Sequence, residues 1–454
     1  MSYPSYPEYK ATGADWLGEV PSHWRVTRLK HAASVNMGQS PDSSDYTDNE
    51  SLDAIPFLQG NAEFGLKSPT AKLYCQTAKK HAHAGDILLS VRAPVGALNV
   101  ADREYGIGRG LCAISPGQRT NRSLLSWALS SAGPAFDSIA TGSTFEAVSS
   151  EQVENLSLTI PPSNEEQTQI TRFLDYQTAR IDALITEQQR LIDLLKEKRQ
   201  AVISHAVTKG LDPDVAMKDS GVEWLRKVPE HWELVPIGLI AEKVQTGPFG
   251  SQLHAHEYVE SGVPVINPAN IKDGQIVPDN YLSVRDDVVL RLSHHKLSAG
   301  DLIVGRRGEM GRCAVVHEYQ EGWLCGTGSM KISLGDKVNS NFLSELIRTS
   351  AFRERLKLES VGSTMDNLNP EIVSSIKVPL PPKQEQIKIV ETLNTSMRSV
   401  AKLLDKAVMG IELLRERRSA LISAAVTGKI DVREWEPPVS ETLPQSTPSE
   451  ETPA

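Results

Sequence analysis

Cysteine is scarce. Four residues (Cys75, Cys112, Cys313 and Cys325) are spread over 454 positions with no CxxC pair, so neither a disulfide framework nor a cysteine zinc site is indicated, and reduced, mostly buried thiols are expected. No apolar run approaches the ~18 residues of a membrane span. The opening MSYPSYPEYK lacks the basic and apolar segments of a secretory signal, which makes the cytoplasm the expected compartment. Cations are in the minority, 48 Lys and Arg against 57 Asp and Glu. That balance argues against a stand-alone nucleic-acid binder, which must neutralise phosphates. The deficit is concentrated, however: Glu434 to Ala454 holds five Glu and no Lys or Arg among many Pro, Ser and Thr, and 433–454 is expected to be a disordered tail. A basic surface on the remaining body stays possible.

Catalytic constellations are also missing. YGIGRG from Tyr105 has the glycine spacing of a nucleotide loop, but such a loop follows a strand and opens a helix, whereas LCAIS after Gly110 has strand character. CGTGSMKIS occupies the same place later in the chain, so a turn between strands is the better reading. The one (Asp/Glu)-x-Lys tripeptide, Glu8-Tyr9-Lys10, has no upstream Asp to complete a magnesium set. Asn267-Pro268 is followed by Ala269-Asn270 rather than by Pro and an aromatic residue, so no amino-methylation motif is present. His81/His83 and His254/His256 fall at different places in the two halves and are read as solvated or base-adjacent rather than metal-bound.

What the chain does contain is itself, twice. LLKEKRQAVISHAVT from Leu194 and LLRERRSALISAAVT from Leu413 share ten of 15 residues, and DWLGEVPSHW from Asp15 returns as EWLRKVPEHW from Glu223 with six of ten. GDILLSVRAPVGALNV from Gly85 returns as GDLIVGRRGEMGRCAVV from Gly300, each a buried strand, a Gly- and Arg-bearing turn and a second strand. Each half begins with β-rich runs broken by Gly, Pro, Asn and Asp, as in a mixed α/β domain with long surface loops. A Pro-Pro then opens a long stretch free of Pro and Gly, running to Gly210 in the first half, which predicts one long helix per half. A seam at a/d-like spacing is expected from Ile181, Leu184, Gln188, Leu191, Leu195 and Val202 in the first helix. Val400, Leu403, Ala407, Gly410, Leu414 and Leu421 are expected in the second. The two helices pair antiparallel in this reading; packing of each on its own globular domain is the alternative.

The expected divisions are a recognition domain over 1–160, a helix over 161–210, a second domain over 211–380, a second helix over 381–432, and the tail. Polar and basic residues at matching positions are the candidate nucleic-acid contacts. Arg92 in one half and Arg306, Arg307 and Arg312 in the other lie on the strand-turn-strand motif, with Lys79, Lys80 and Lys296 just upstream. Arginine suits guanine edges and phosphates through its bidentate fork. The opening loops add Gln39 and Ser40 in the first half and Gln245, Ser251 and Gln252 in the second. Arg109 lies in the glycine turn, and Ser143, Thr144, Ser363 and Thr364 lie in the GST turns. No residue is assigned a catalytic or metal-binding role.

The paired WLGEVPSHW and EWLRKVPEHW openings, GPFGSQL from Gly247, the GST turns, the two Pro-Pro-x-x-Glu helix starts and LISAAVTGKIDVR near the end together resemble the specificity subunit of type I restriction-modification systems. The likeness covers nearly all of residues 15–432. It implies two target-recognition domains, each reading one half of a split DNA sequence, held apart by an antiparallel coiled coil that sets the spacer. It further implies docking of two methyltransferase subunits and of motor-nuclease subunits, with S-adenosylmethionine, ATP and magnesium bound by those partners and no cofactor in this chain. The first opening loop, MGQSPDSSDY, departs from the GPFGS form. A coiled-coil adaptor with two repeated protein-binding domains is the competing reading, and an enzyme with an unrecognised site is a third; bound metal or cofactor in the isolated chain would favour that last one.

Overall fold

The computed structural model describes residues 3–48, 54–65, 67–140, 147–360 and 368–438. Two compact units emerge, one built from 1–188 together with 409–454 and the other from 189–408. The first unit is therefore discontinuous, unlike the contiguous division expected from the sequence. The reason lies in the two long helices, Asn164–Lys209 and Lys383–Val426, each of which begins in one unit and ends in the other.

The units share one plan. In the first, a four-stranded antiparallel sheet runs in the order Leu98–Val100, Ile87–Ser90, Leu111–Pro116, Ala33–Met37. In the second the same order is Cys313–Val315, Leu302–Gly305, Ser329–Leu334, Ala241–Thr246. A further sheet in each contains one parallel pair, Ile55–Leu58 with Tyr105–Ile107 and Val263–Ile266 with Leu324–Cys325. YGIGRG is a strand, Tyr105–Ile107, and a turn that leads into the strand Leu111–Pro116, as its sequence context indicated. The strands beside the Pro-Pro segments, Ser157–Ile160 and Lys377–Leu380, pair with Arg25–Arg28 and Glu233–Pro236.

The repeated openings and helix starts meet in space. Trp24 and Trp232 are fully buried and donate through Nε1 to Glu166 Oε1 at 2.9 Å and Glu385 Oε1 at 3.2 Å. The next residue of each pair, Gln167 or Gln386, accepts from the backbone N–H of Asn121 or Asn339 at 2.7 Å. Those asparagines in turn cap the helices Arg122–Ser131 and Ser340–Ile347, satisfying donors that a helix start leaves open.

Why the stretches from Leu194 and Leu413 match follows from the cores. Ile203, Ala206 and Val207 at the end of the first helix pack in the second unit with Trp232, Ile389 and Leu393. Ile422, Ala425 and Val426, at the end of the second helix, pack in the first unit with Trp24, Ile170, Phe173 and Leu174. Gly210 (φ +82°) and Gly428 (φ +71°) end the helices in the left-handed conformation that glycine adopts without strain. The carboxyl end of the chain thus completes the domain that the amino end begins. Tyr9 donates to Gly428 O at 3.0 Å, and the Asp431 N–H donates to Pro4 O at 2.7 Å.

Within each unit the helices run antiparallel, as the order of these contacts and the Asp182–Arg418 ion pair at 2.8 Å show. The start of each helix packs in the core of its own half and its end in the other core. Of the residues expected in the seam, Ile181, Gln188, Leu195, Val400, Ala407 and Leu414 are buried or half-buried. The expected seam is one residue early elsewhere. Leu184 is 52% exposed, and Leu191, Val202 and Leu403 are exposed too, while Ile185, Ile192, Ile203 and Leu404 turn inward. Ile411 is buried beside the half-buried Gly410, and Ile422 beside the half-buried Leu421. Adjacent apolar residues are indistinguishable in a one-dimensional pattern, and only the alternating three- and four-residue steps of a facing partner select between them. The first residues of the stretch expected to be a tail are packed: Trp435 lies edge-on against Phe173 at 5.1 Å, and Arg433 lies over Tyr6 at 5.0 Å.

Candidate nucleic-acid interface

In both units two glycine loops cross at the same point of the frame. A Cβ on Gly38 would lie 2.1 Å from Gly108 O, and one on Gly247 would lie 1.9 Å from Gly326 O, so neither crossing tolerates a side chain. The loops that emerge from the crossing differ in the two units.

In the first unit Gln39 donates from its backbone to Ile107 O at 2.9 Å. Ile107 donates to Lys80 O at 2.9 Å, and the Arg109 N–H reaches Ser40 Oγ at 3.2 Å. These bonds gather Gln39, Ser40, Lys80 and Arg109 around one strand, with Lys79 adjoining, and all five are exposed. His81 turns one ring nitrogen to Glu104 at 2.9 Å and the other to Ala78 O at 2.8 Å, consistent with a satisfied surface histidine. Among the described residues no cluster of His, Cys, Asp and Glu is arranged to hold a metal.

In the second unit the GPFGS loop is held from several sides. Gln252 Oε1 accepts from the Phe249 N–H at 3.0 Å, Arg291 donates to Gln252 O at 3.0 Å, and Leu253 is buried beneath. Gln252, a candidate nucleic-acid contact, is folded back to brace its own loop. The residue the loop presents is one that sequence reasoning passed over: Phe249, 60% exposed. Its signal was an aromatic between glycines in a stretch already singled out. Ser251 is exposed beside it. Gln245 is half-buried, with its Nε2 3.4 Å from His295 Nδ1 and its Oε1 without a partner among the described residues. Burial holds His295 below the ordinary imidazole range, although the Thr246 carbonyl opposes that shift. Lys296 is half-buried, and its carbonyl accepts from Lys331 Nζ at 2.6 Å.

The strand-turn-strand arginines separate into different roles. Val91 accepts from Val148 N and donates to Gly110 O; Arg306 accepts from Leu368 N and donates to Gly328 O in the same pattern. Arg306 therefore occupies the position of a core valine. It is 7% exposed, and burial lowers its pKa, so it is not presented to solvent as a base contact would be. Arg92 and Arg307, the next residues, are the matched exposed pair. Arg312 is bound to Glu309 at 2.9 and 3.0 Å and to Pro268 O at 3.0 Å, tying its turn to a neighbouring loop. Ser143, Thr144, Ser363 and Thr364 lie outside the described residues.

The family model described as the type I restriction modification DNA specificity domain matches residues 21–194 and again 229–405. A putative type I restriction enzyme MjaX specificity subunit of Methanocaldococcus jannaschii is 33% identical over 204 residues, covering 44% of this chain and 46% of the relative. The type I restriction enzyme MjaVIII specificity subunit of that organism is 25% identical, with 62% and 63% covered. The chain thus spans about half to under two thirds of the length of these relatives. The type I restriction enzyme EcoBI specificity subunit of Escherichia coli is 21% identical over 91% of this chain and 88% of its own. A chain from a structure described as showing complex assembly and conformational transition of the type I R-M system aligns with a TM-score of 0.68. Its identity is 16%, over 90% of this chain and 98% of the other, a likeness of fold.

Proposed function

This chain belongs to the type I restriction modification DNA specificity family, and on that premise we propose that it is the non-catalytic subunit that reads a bipartite DNA target for a restriction-modification complex. The observation that carries this reading is the pair of glycine crossings, which hold two loop sets of different chemistry on one repeated frame. A repeated frame suits two segments of a regular duplex, and divergent loops suit two unlike sequences. In the first unit the readers are Gln39, Ser40, Lys79, Lys80, Arg92 and Arg109. In the second they are Gln245, Phe249, Ser251, Lys296 and Arg307. The side chains fixed by Arg291, Glu309 and Pro268 support the loops from behind.

In this reading the paired helices set the unspecified spacer. Two methyltransferase subunits and the motor-nuclease subunits dock on the chain, and S-adenosylmethionine, ATP and magnesium belong to those partners. The acidic balance of the chain, −9, fits a division in which partners supply part of the phosphate grip. The test is to purify the chain with its methyltransferase, measure duplex binding against salt, and map the methylated sites. Sequence-specific binding and a split site are expected. Four residues inserted after Leu195 add about one helical turn, ~6 Å, and should lengthen the spacer by one or two base pairs while both half-sites persist. Retained partner assembly with no duplex preference would replace this reading by that of a protein-binding adaptor.

A further inference from the structure

We propose that a charged groove in the second unit grips a short stretch of the DNA sugar-phosphate backbone. The proposal rests on the DNA-reading function above and concerns a site distinct from the base-reading loops. The groove has a volume of about 580 Å³ and lies between the end of the first long helix, the Ile271–Ile276 hairpin and the Glu309–Cys313 turn. Lys196, Arg199, Lys272, Arg312, Arg348 and Arg353 line it, against only three carboxylates, Asp273, Glu309 and Glu345.

The pairing within the groove is incomplete. Arg312 and Arg348 hold Glu309 and Glu345 at 2.9 Å, and Arg353 is 3.7 Å from Glu309. Lys196, Arg199 and Lys272 have no hydrogen-bond or ion-pair partner among the described residues. Positions 196, 199, 200 and 203 share one helix face, and Ile203 fixes that face in the core. The turns are shaped for the arginines: a Cβ on Gly274 would come within 2.3 Å of Arg348, and one on Gly311 within 2.2 Å of Arg353. Both glycines have positive φ.

The fold does not require this charge, because the first unit builds the same frame without it. Pro94, Ala97 and Trp127 take the places of Glu309, Arg312 and Glu345, judged from the matched strands and caps. Arg418, the counterpart of Arg199 in the repeat, is neutralised by Asp182 and lies over Trp127 at 5.7 Å. The repeat places Ala401 where Asp182 would fall, so Arg199 lacks the corresponding carboxylate. The first unit keeps Arg415 in the place of Lys196 but pairs the counterpart of Arg199, so the second unit carries the larger unpaired positive charge here.

Phosphodiester fits this groove better than an acidic peptide does. The apolar lining residues, Ile203, Ile271 and Cys313, are buried in the domain cores, leaving no hydrophobic anchor of the kind that dominates protein interfaces. Guanidinium forks and lysines match phosphate oxygens directly. The test is a Lys196→Ala, Arg199→Ala, Lys272→Ala variant in complex with the methyltransferase, compared with wild type on cognate and shuffled duplexes over a range of salt. Each lost phosphate contact should lower the slope of log K against log salt by about 0.9, so a fall of two to three is expected. Affinity should drop by the same factor on both duplexes, with the methylated sequence unchanged. Lys196→Arg with Lys272→Arg should retain the wild-type slope. An unchanged slope in a variant that still reads its site would overturn the groove but not the DNA reading, and loss of methyltransferase assembly at unchanged slope would assign the groove to a protein. A changed recognition sequence would make these cations base readers instead. Wild-type complex that binds no duplex at all would overturn both proposals.

Discussion

Trp24 and Glu166 are 142 residues apart in the chain and joined by a 2.9 Å hydrogen bond from the indole N–H to Oε1. The same carboxylate accepts from Tyr6 at 2.9 Å and contacts the His23 ring at 3.0 Å. Its counterpart Glu385 holds Trp232 and His231 but is more exposed. Removing a buried acceptor strands the donors that point at it. Glu166→Ala is expected to destabilise its unit by about 3 kcal/mol and Glu385→Ala by about 1–2 kcal/mol. Thermal unfolding of the two variants checks the order; equal small losses would mean that water replaces the carboxylate in both.

Completion of the first unit by the far end of the chain predicts an unequal response to truncation. A chain ending at Ala420 loses Ile422, Ala425, Val426 and Val432 from the first core and none from the second. Limited proteolysis or hydrogen exchange should find the first unit open and the second protected. Equal protection of both would show that the carboxyl end is dispensable.

The seam gives a sharp pair of variants. Ile192 is 5% exposed and Leu191 is 43% exposed. Ile192→Ala should cost about 2–4 kcal/mol and Leu191→Ala less than about 1 kcal/mol, as read from urea midpoints. The reverse order would restore the seam expected from the sequence.

Arg92 and Arg307 are matched exposed residues on the two turns. Arg307→Ala should weaken one half-site by about 1–3 kcal/mol if a bidentate base contact is lost, and Arg92→Ala should act on the other. Competition between duplexes mutated in one half at a time measures this. A uniform loss on all sequences would reassign both residues to phosphate.

Burial pushes the thiols of Cys112, Cys313 and Cys325 up to about 12. A folded pKa raised above the unfolded one contributes stability that is complete below about pH 8.5, the free thiol value, and is lost as pH rises towards 12. These thiols should resist iodoacetamide at pH 8 in the native chain and react in denaturant. Stability should fall on the alkaline side, and Cys313→Ala should blunt that fall. Rapid native labelling would show a looser core than the structure has.

The sequence by itself determined the duplication, the mixed α/β texture of each half, and two helices bounded by Pro-Pro and glycine. Those features depend on local spacing or on identity between copies, both of which are visible along one dimension. It also pointed to Arg92, Arg307 and the opening loops, because polar residues between glycines and strands fall on surface turns. The tertiary structure alone decided which of two adjacent apolar residues faces inward, since that choice belongs to the partner helix. Only the structure decided that Arg306 fills the place of Val91, and that Gln252 and Arg312 brace loops while Phe249 stands free. Burial and hydrogen-bond partners come from segments far off in the chain, so identical local patterns acquire different roles. The carboxyl end completing the first unit is the same lesson at full scale: a repeat can be counted in the sequence, but the domain each copy serves is fixed only by packing.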